Sequence, residues 1–304
     1  MTSPVTDNNS IYHKQKDPHL QNCLYAQWFY YRKAKRVSSF HFWAVIVLLS
    51  VSSIVNAVVN IQWVSDACVI ATIVLLLSDM FFESVVARLR NIAADIQQFV
   101  DVSLFATPKY REDWGDIITT QQTFEWISKV NNKKKKNFKQ WYPDYSSLHH
   151  YKQVIHCQSE NIRWNRDLSK SYQRFICGVS GFCFIAFIII EALVLQASLT
   201  YTLRVLIWFS PLLQYLIRII IEINRTDRKK QRLRARIDSI LQNENEWDDW
   251  GWEKREIAIQ RGIYELRKSS VMVPDWYYRI TKKKYEKREK SIAKQTKKNE
   301  ANHS

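Results

Sequence analysis

Four long apolar stretches, separated by strongly polar segments, dominate the hydropathy pattern of this chain. They are Val37–Ser65, Ala67–Phe82, Phe175–Ile190 and Val205–Ile217, and the first contains no Asp, Glu, Lys or Arg. An α-helix rises about 1.5 Å per residue, so roughly 20 apolar residues cross a hydrocarbon core of about 30 Å. The pattern therefore predicts an all-α membrane protein in which four transmembrane helices form two hairpins, at 37–83 and 175–223.

The polar segments beside these stretches show the three-and-four spacing of amphipathic helices. An apolar stripe from Leu20 to Tyr31 precedes the first stretch, within a helical pattern that covers Ile11–Lys35. A second stripe, from Val85 to Phe99, continues the second stretch, and a third, from Val154 to Tyr172, leads into the third stretch. We therefore predict that these helices run on from the membrane into a helical cytoplasmic module.

The remaining polar segments are less uniform. Ser103–Ser147 has no helical period and contains Pro and Gly, so it is predicted to be irregular. Beyond the fourth stretch the pattern predicts three helices, at Arg225–Asn243, at about Ile257–Arg267 and from Asp275 onward. The acidic aromatic cluster Glu244–Trp252 is expected to break the first of them, with a turn at Gly251, and Lys294–Ser304 is expected to be a solvated tail.

The distribution of positive charge predicts the orientation of the hairpins. The connectors Asn60–Asp66 and Gln196–Tyr201 contain neither Lys nor Arg, whereas the polar segments on the other side are rich in both. The positive-inside bias places both connectors outside and both chain termini in the cytoplasm. The cytoplasmic parts are then an N-terminal helix at 1–36, a stalk and central segment at 84–174, and C-terminal helices with a basic tail at 224–304.

The net charge of +16 at pH 7 has two readings. In a soluble chain it would suggest a nucleic acid partner, but basic residues near membrane ends also hold the topology and attract anionic lipid. We expect inner-membrane lipid as a partner, and neither DNA nor RNA. A basic cytoplasmic surface that binds a nucleotide messenger remains open.

Motifs for catalysis and metal binding are absent from the sequence. No HExxH, GxSxG or P-loop occurs, and the five glycines argue against glycine-rich nucleotide loops. The five cysteines form no CxxC pair, and the spacing of six between His150 and His156 does not place both on one helical face. We therefore expect no enzyme, no cofactor, no metal site and no disulfide framework.

Short motifs and single residues that are characteristic of one protein family are spread along most of the chain. Those near the first two stretches are Ala26, Gln27, Tyr30, Ala34, Lys35, Ile96, Gln97, Phe99 and Asp101. Those further on are Cys157, Gln158, Asn161, Trp164, Leu168, Tyr172, Gln260, Ile263, Tyr264, Arg267, Val273, Pro274, Asp275 and Tyr278. In these marks the chain resembles the SMODS-associated four-transmembrane effectors of bacterial anti-phage signalling. The resemblance implies a pore-forming effector, encoded beside a cyclic-oligonucleotide synthase, that damages the bacterial inner membrane.

A pore would require assembly, because one chain with four membrane helices cannot enclose a wide channel. We therefore expect a homo-oligomer. The alternative function is a membrane-anchored signalling scaffold that forms no pore and recruits a cytoplasmic partner.

Ionisable residues inside or beside the apolar stretches are the candidates for lining or gating a pore. They are Asp79, Glu83, Glu191, Arg218 and Glu222. Charged side chains at the centre of a bilayer cost roughly 2.5–3.5 kcal/mol on insertion scales, so they favour a water path. The alternative is that they reach the membrane interfaces or pair between the two hairpins.

A second set of residues is the candidate for binding the messenger. Arg163 and Arg166 suit phosphates, Trp164 and Trp141 offer faces on which bases stack, and Gln158 lies on the same helix. The expected ligand is a cyclic oligonucleotide. The alternative is that this helix only packs against the C-terminal helices.

Overall fold

The computed structural model describes residues 10–58, 62–105, 120–130, 138, 141–189, 210–243 and 249–303. All regular structure in these residues is α-helical, so this part of the chain is all-α as the periodicity predicts. The helices are α1 (Ile11–Lys14), α2 (Pro18–Val58), α3 (Gln62–Phe105), α4 (Thr120–Ser128), α5 (His150–Ile189), α6 (Ser210–Gln242), α7 (Asp249–Ser269) and α8 (Asp275–His303).

The first two long helices, α2 and α3, form an antiparallel pair. The rings of His41 and Phe82 lie 4.6 Å apart, and farther from the connector Tyr31 donates a hydrogen bond to Gln97 Oε1 at 3.5 Å. Neither Gly nor Pro occurs from residue 19 to residue 105, so nothing in the backbone interrupts either helix. The predicted boundaries at 36/37 and 83/84 therefore fall inside continuous helices.

The helical pattern predicted from Ile11 onward is in fact two helices. Asp17 separates them, because its Oδ1 accepts hydrogen bonds from the backbone N–H groups of His19 at 2.8 Å and Leu20 at 3.1 Å. This is an N-cap, and Pro18 behind it suits the first helical position, where no N–H donor is needed. The prediction of a single helix was therefore wrong at this point.

The second antiparallel pair consists of α5 and α6. Lys170 Nζ donates to Asn224 Oδ1 at 3.0 Å, and Arg166 Nε donates to Asp227 Oδ1 at 2.9 Å. Ile176, Ile219 and Ile223 form a small apolar cluster at the end where the predicted membrane segments begin. The predicted boundaries at 174/175 and 223/224 also lie within unbroken helices.

Helix α7 lies between the two pairs and α8 runs back along α5. The main core cluster joins α2, α3 and α5, and a second cluster joins α5, α6 and α7 through residues such as Ile155, Ile237 and Ile259. Gly262 allows the close contact of α7 with α6, since a Cβ at this position would lie 2.6 Å from Leu233 Cδ2. All of this core lies in the segments predicted to be cytoplasmic.

Three local predictions are wrong. The segment Ser103–Ser147 contains helix α4, and Gly251 lies inside α7 instead of forming a turn. The predicted tail from Lys294 continues α8 to His303, because this helix gains tertiary contacts that its charged composition does not reveal. One such contact is the ion pair of Lys297 Nζ with Asp144 Oδ2, at 2.7 Å.

Within the described part of the chain, no helix is both long enough and apolar enough to cross a membrane. The same residues nevertheless expose many large apolar side chains. All of these except Phe29, Phe124, Trp276 and Ile280 lie within 37–83 or 175–223.

Candidate functional site

A buried ion pair between Asp101 on α3 and Arg267 on α7 lies at the centre of the helical module. Arg267 Nη2 lies 2.6 Å from Asp101 Oδ2, and both side chains are almost fully withdrawn from solvent. Burial by itself lowers the pKa of Arg267, but the Asp101 charge raises it overall, so the guanidinium remains charged. A charge pair at this depth requires both partners, because either one alone would be a buried uncompensated charge.

Neutral polar side chains complete the coordination of Asp101. Tyr142 donates its O–H to Asp101 Oδ1 at 2.9 Å, and Asn161 Nδ2 donates to the Tyr142 oxygen at 2.7 Å. Burial and the Asp101 charge raise the pKa of Tyr142 well above its ordinary value, so the phenol keeps its proton and acts as a donor. The central segment is thereby fastened to the stalk and to α5.

Hydrogen bonds between three glutamine side chains extend this network across α7. Gln260 Nε2 donates to Gln98 Oε1 at 2.9 Å and to Asp101 Oδ2 at 3.1 Å. Gln158 Nε2 donates to Gln260 Oε1 and to the Glu256 carbonyl, each at 3.2 Å. We call Gln98, Asp101, Tyr142, Gln158, Asn161, Gln260 and Arg267 the polar network.

The sequence marked Asp101, Asn161, Gln260 and Arg267 only as residues shared with the family, and Gln158 also as a candidate for binding the messenger. Asp101, Gln260 and Arg267 each lie on the apolar side of an amphipathic helix, where a polar side chain is out of place. A polar residue on the apolar side of a helix was the signal in the sequence from which these residues could have been found. It indicates a buried polar group, but not the residue with which the group pairs.

The two arginines predicted to bind phosphates are already engaged with carboxylates. Arg163 Nε donates to both carboxylate oxygens of Glu289 on α8, at 3.2 and 3.0 Å. Arg166 Nε donates to Asp227 on α6 at 2.9 Å, and Lys170 Nζ lies 3.5 Å from the other oxygen of Asp227. These pairs fasten both α8 and α6 to α5.

The other predicted ligand residues face different neighbours. Trp164 lies against two α8 rings, Tyr278 at 6.3 Å and Tyr285 at 5.6 Å between centroids. Gln158 is fully buried against α7, as described above. Trp141 packs against the main core cluster, with the Phe138 ring 6.0 Å away. The structure thus brings Arg163 and Trp164 together at α8, and places Arg166, Gln158 and Trp141 elsewhere around α5.

The ionisable residues predicted to line or gate a pore include an ion-pair cluster between the hairpins. Arg218 Nη1 on α6 lies 3.0 Å from Asp79 Oδ2 and 3.0 Å from Glu83 Oε2, both on α3. Glu222 lies 3.9 Å from Arg225 on its own helix. Glu191 lies outside the described residues. Asp79, Glu83 and Arg218 therefore form one cluster that joins the two helix pairs.

Two buried glutamates were missed by the sequence analysis. Burial and the nearby Glu289 charge raise the pKa of Glu160 to about 8, although Arg163 opposes this shift. Burial, together with the Glu253 charge, raises the pKa of Glu256 well above its ordinary value, and its carboxylate oxygens have no hydrogen-bond partner among the described residues. Burial therefore favours the protonated form of both carboxyls.

Two histidine side chains near the start of α5 contact groups of the neighbouring segments. His156 stacks on Tyr145 with ring centroids 5.3 Å apart, and His150 Nε2 lies 3.2 Å from the Phe105 carbonyl oxygen. No group of three or more His, Cys, Asp and Glu residues in these segments is arranged to hold a metal ion.

Comparison with known proteins identifies the family of the chain. The SMODS-associating 4TM effector domain matches residues 9–296. A protein of Bacillus cereus (strain VD146), named a probable CBASS effector molecule, is 25% identical over 191 residues, which are 63% of this chain and 64% of the relative. The match thus spans just under two thirds of that relative's length, and no solved structure matches the chain. Because the family domain covers almost the whole sequence, the chain belongs to the SMODS-associating 4TM effectors.

Proposed function

We propose that this protein is a membrane-embedded effector of bacterial anti-phage defence that permeabilises the inner membrane as a homo-oligomer when it binds a cyclic oligonucleotide. The family description and the name of the Bacillus cereus relative support an effector role in CBASS signalling. The family description also supports a membrane location. Permeabilisation and messenger binding rest on the following features of the chain.

The distribution of exposed apolar side chains is the observation that carries the proposal. Met80 is 77% exposed and Phe182 is 74% exposed, and both lie among other exposed apolar residues within the predicted hairpins. Such a surface is unfavourable in water by about 25 cal/mol per Å². Soluble monomers rarely expose apolar patches of this extent, so lipid or other copies of the chain should cover it.

The proposed topology places both hairpin connectors outside and both termini in the cytoplasm. It agrees with the absence of Lys and Arg from Asn60–Asp66 and Gln196–Tyr201. It also agrees with the position of the two larger core clusters and of the polar network, which lie in segments assigned to the cytoplasm. The helices α2, α3, α5 and α6 would then each connect this module directly to the membrane.

The cluster of Asp79, Glu83 and Arg218 is the proposed gate. One guanidinium bridges two carboxylates across the hairpins, which neutralises half of their negative charge while the three groups are together. If the hairpins separate, the three groups lose one another and need water or residues of another copy. Glu222, one turn from Arg218, and Glu191 would extend the same polar path.

Messenger binding is proposed to exchange the partners of Arg163 and Arg166. Phosphate oxygens can replace carboxylate oxygens on a guanidinium with similar two-donor geometry. The exchange would release Glu289 and Asp227, and with them the contacts of α8 and α6 with α5. Trp164 lies beside Arg163 as a stacking face, while Gln158 and Trp141 support the α5 surface from the sides. A change of a few kcal/mol in the free-energy difference between closed and open assemblies is enough to change their populations strongly.

Leakage from liposomes tests the function directly. Purified full-length protein, reconstituted in dye-loaded vesicles of phosphatidylethanolamine and phosphatidylglycerol, should release the dye when cyclic oligonucleotides are added. Retention of the dye by folded, inserted protein across a panel of cyclic di- and trinucleotides would reject permeabilisation and favour the scaffold function.

Paired substitutions test the partner exchange. Arg163→Gln should weaken messenger binding because it removes phosphate donors. Glu289→Gln should strengthen binding because it removes the competing carboxylate. If the Arg163–Glu289 pair only stabilised the fold, the two substitutions would not change messenger binding in opposite directions. Arg234→Gln, which alters an exposed pair with Asp238 at 3.8 Å, is the matched control. Equal binding by all variants would place the messenger site elsewhere.

A further inference from the structure

We infer that Trp276 and Ile280, at the start of α8, insert into the headgroup layer of the cytoplasmic leaflet and attach the C-terminal helix to the membrane surface. The inference rests on the proposed function, since it assumes that the two hairpins are embedded in lipid. The proposed ligand of this surface is an anionic lipid bilayer.

The position of these residues along the helix pairs supports the inference. The Trp276 ring lies 5.5 Å from the ring of Phe175, the first residue of the third apolar stretch. Lys35, two residues before the first stretch, pairs with Asp275 Oδ1 at 2.8 Å. Val271 packs on the cluster of Ile176, Ile219 and Ile223. The start of α8 therefore lies level with the ends of several predicted membrane segments.

The two side chains lie on the outer face of α8. Trp276 is 49% exposed and Ile280 is 72% exposed, whereas Tyr277 and Tyr285 are buried on the face that packs against α5. A spacing of four places Trp276 and Ile280 one above the other on a helix. The other exposed large apolar side chains of the described residues lie almost entirely in the predicted hairpins, and the ring of Phe175 connects Trp276 with that apolar surface.

Charge complementarity favours lipid as the occupant. Arg279, Lys283 and Lys284 surround Ile280 and are exposed, and no acidic residue occurs from Trp276 to Tyr285. Anionic headgroups match this charge, and Trp is enriched at the membrane interface. A second copy of the chain that paired symmetrically through this face would bring its lysines against these lysines, which disfavours such a contact.

Photo-crosslinking in vesicles tests the inference. p-Benzoylphenylalanine would replace Trp276 or Ile280 in the full chain, reconstituted in vesicles of phosphatidylethanolamine and phosphatidylglycerol. The same probe at Met80 and at Phe182 reports whether the hairpins reach lipid. Phe124 on α4, which is also an exposed apolar residue, is the control outside the hairpins. We expect the yield of lipid adducts at 276 and 280 to approach that at Met80 and Phe182 and to exceed that at Phe124 several-fold.

The other outcomes separate the two proposals. Lipid adducts at Met80 and Phe182, with yields at 276 and 280 no higher than at Phe124, would reject the anchor and leave the membrane location intact. Loss of lipid adducts at all sites would reject membrane embedding and the anchor together. Adducts between two chains, in excess of lipid adducts, at 276 and 280 would show an interface between copies and would reject the anchor.

Discussion

Replacement of Arg267 by Met should destabilise the packing of α7 against α3, because it leaves the Asp101 carboxylate buried without its counter-ion. Arg267 and Asp101 are in contact at 2.6 Å and both are almost fully buried. Removal of one partner from a buried pair costs about 3–5 kcal/mol. Asp101 keeps its hydrogen bonds from Tyr142 and Gln260, so we expect the lower end of this range, about 3 kcal/mol.

Thermal unfolding in detergent micelles measures the effect. A loss of about 3 kcal/mol corresponds to a fall in the melting temperature of about 6–12 °C for a unit of 150–250 residues. Addition of Asp101→Asn to the Arg267→Met chain removes the stranded charge and should recover part of the loss. The matched control is Arg234→Met on α6, whose exposed pair with Asp238 contributes no more than about 0.5 kcal/mol.

Two results would refute this reasoning. A loss below about 1 kcal/mol for Arg267→Met would mean that water or another cation compensates Asp101. A double variant less stable than Arg267→Met alone would mean that the carboxylate is stabilised independently of Arg267, and that the ion pair is not the centre of the polar network.

Three further predictions concern pH, packing and the gate. Burial raises the pKa of Glu160 from 4.5 to about 8, so between about pH 5 and pH 8 the folded chain binds a proton that the unfolded chain has lost. The free energy of unfolding should therefore fall by about 1.4 kcal/mol for each unit by which the pH rises through this range. Melting curves of Glu160→Gln should lack this slope, and an unchanged slope would assign it to another group. Gly262→Ala should lower stability by about 1–3 kcal/mol in the same assay, because the new methyl group would meet Leu233; a neutral effect would show that the Leu233 side chain moves away freely. Arg218→Gln should increase dye leakage from vesicles without messenger, since it removes the bridge between the hairpins, whereas the exposed control Arg234→Gln should not; equal leakage from both variants would remove Arg218 from the gate.

Local sequence determined where the long helices lie and which of their faces are apolar. The absence of Gly and Pro from 19 to 105 permits two uninterrupted helices, and apolar residues at three-and-four spacing mark the sides that pack together. Sequence marks spread along the chain were also sufficient to identify the family, which the match over residues 9–296 confirms. These properties depend on neighbours within a few helical turns, so the linear pattern contains them.

Tertiary structure decided which charged and polar groups pair. Asp101 and Arg267 are 166 residues apart, and the partner of Arg163 on α8 is 126 residues away. Many carboxylates along the chain had the right charge for either arginine, and only the packing of α7 and α8 against α3 and α5 selects among them. The last turns of α8 could not be predicted from the sequence for the same reason. Their charged composition is typical of a solvated tail, and only the tertiary structure shows that Lys297 forms an ion pair with Asp144. Helix periodicity is a local property, whereas ion-pair partners depend on how distant helices are brought face to face.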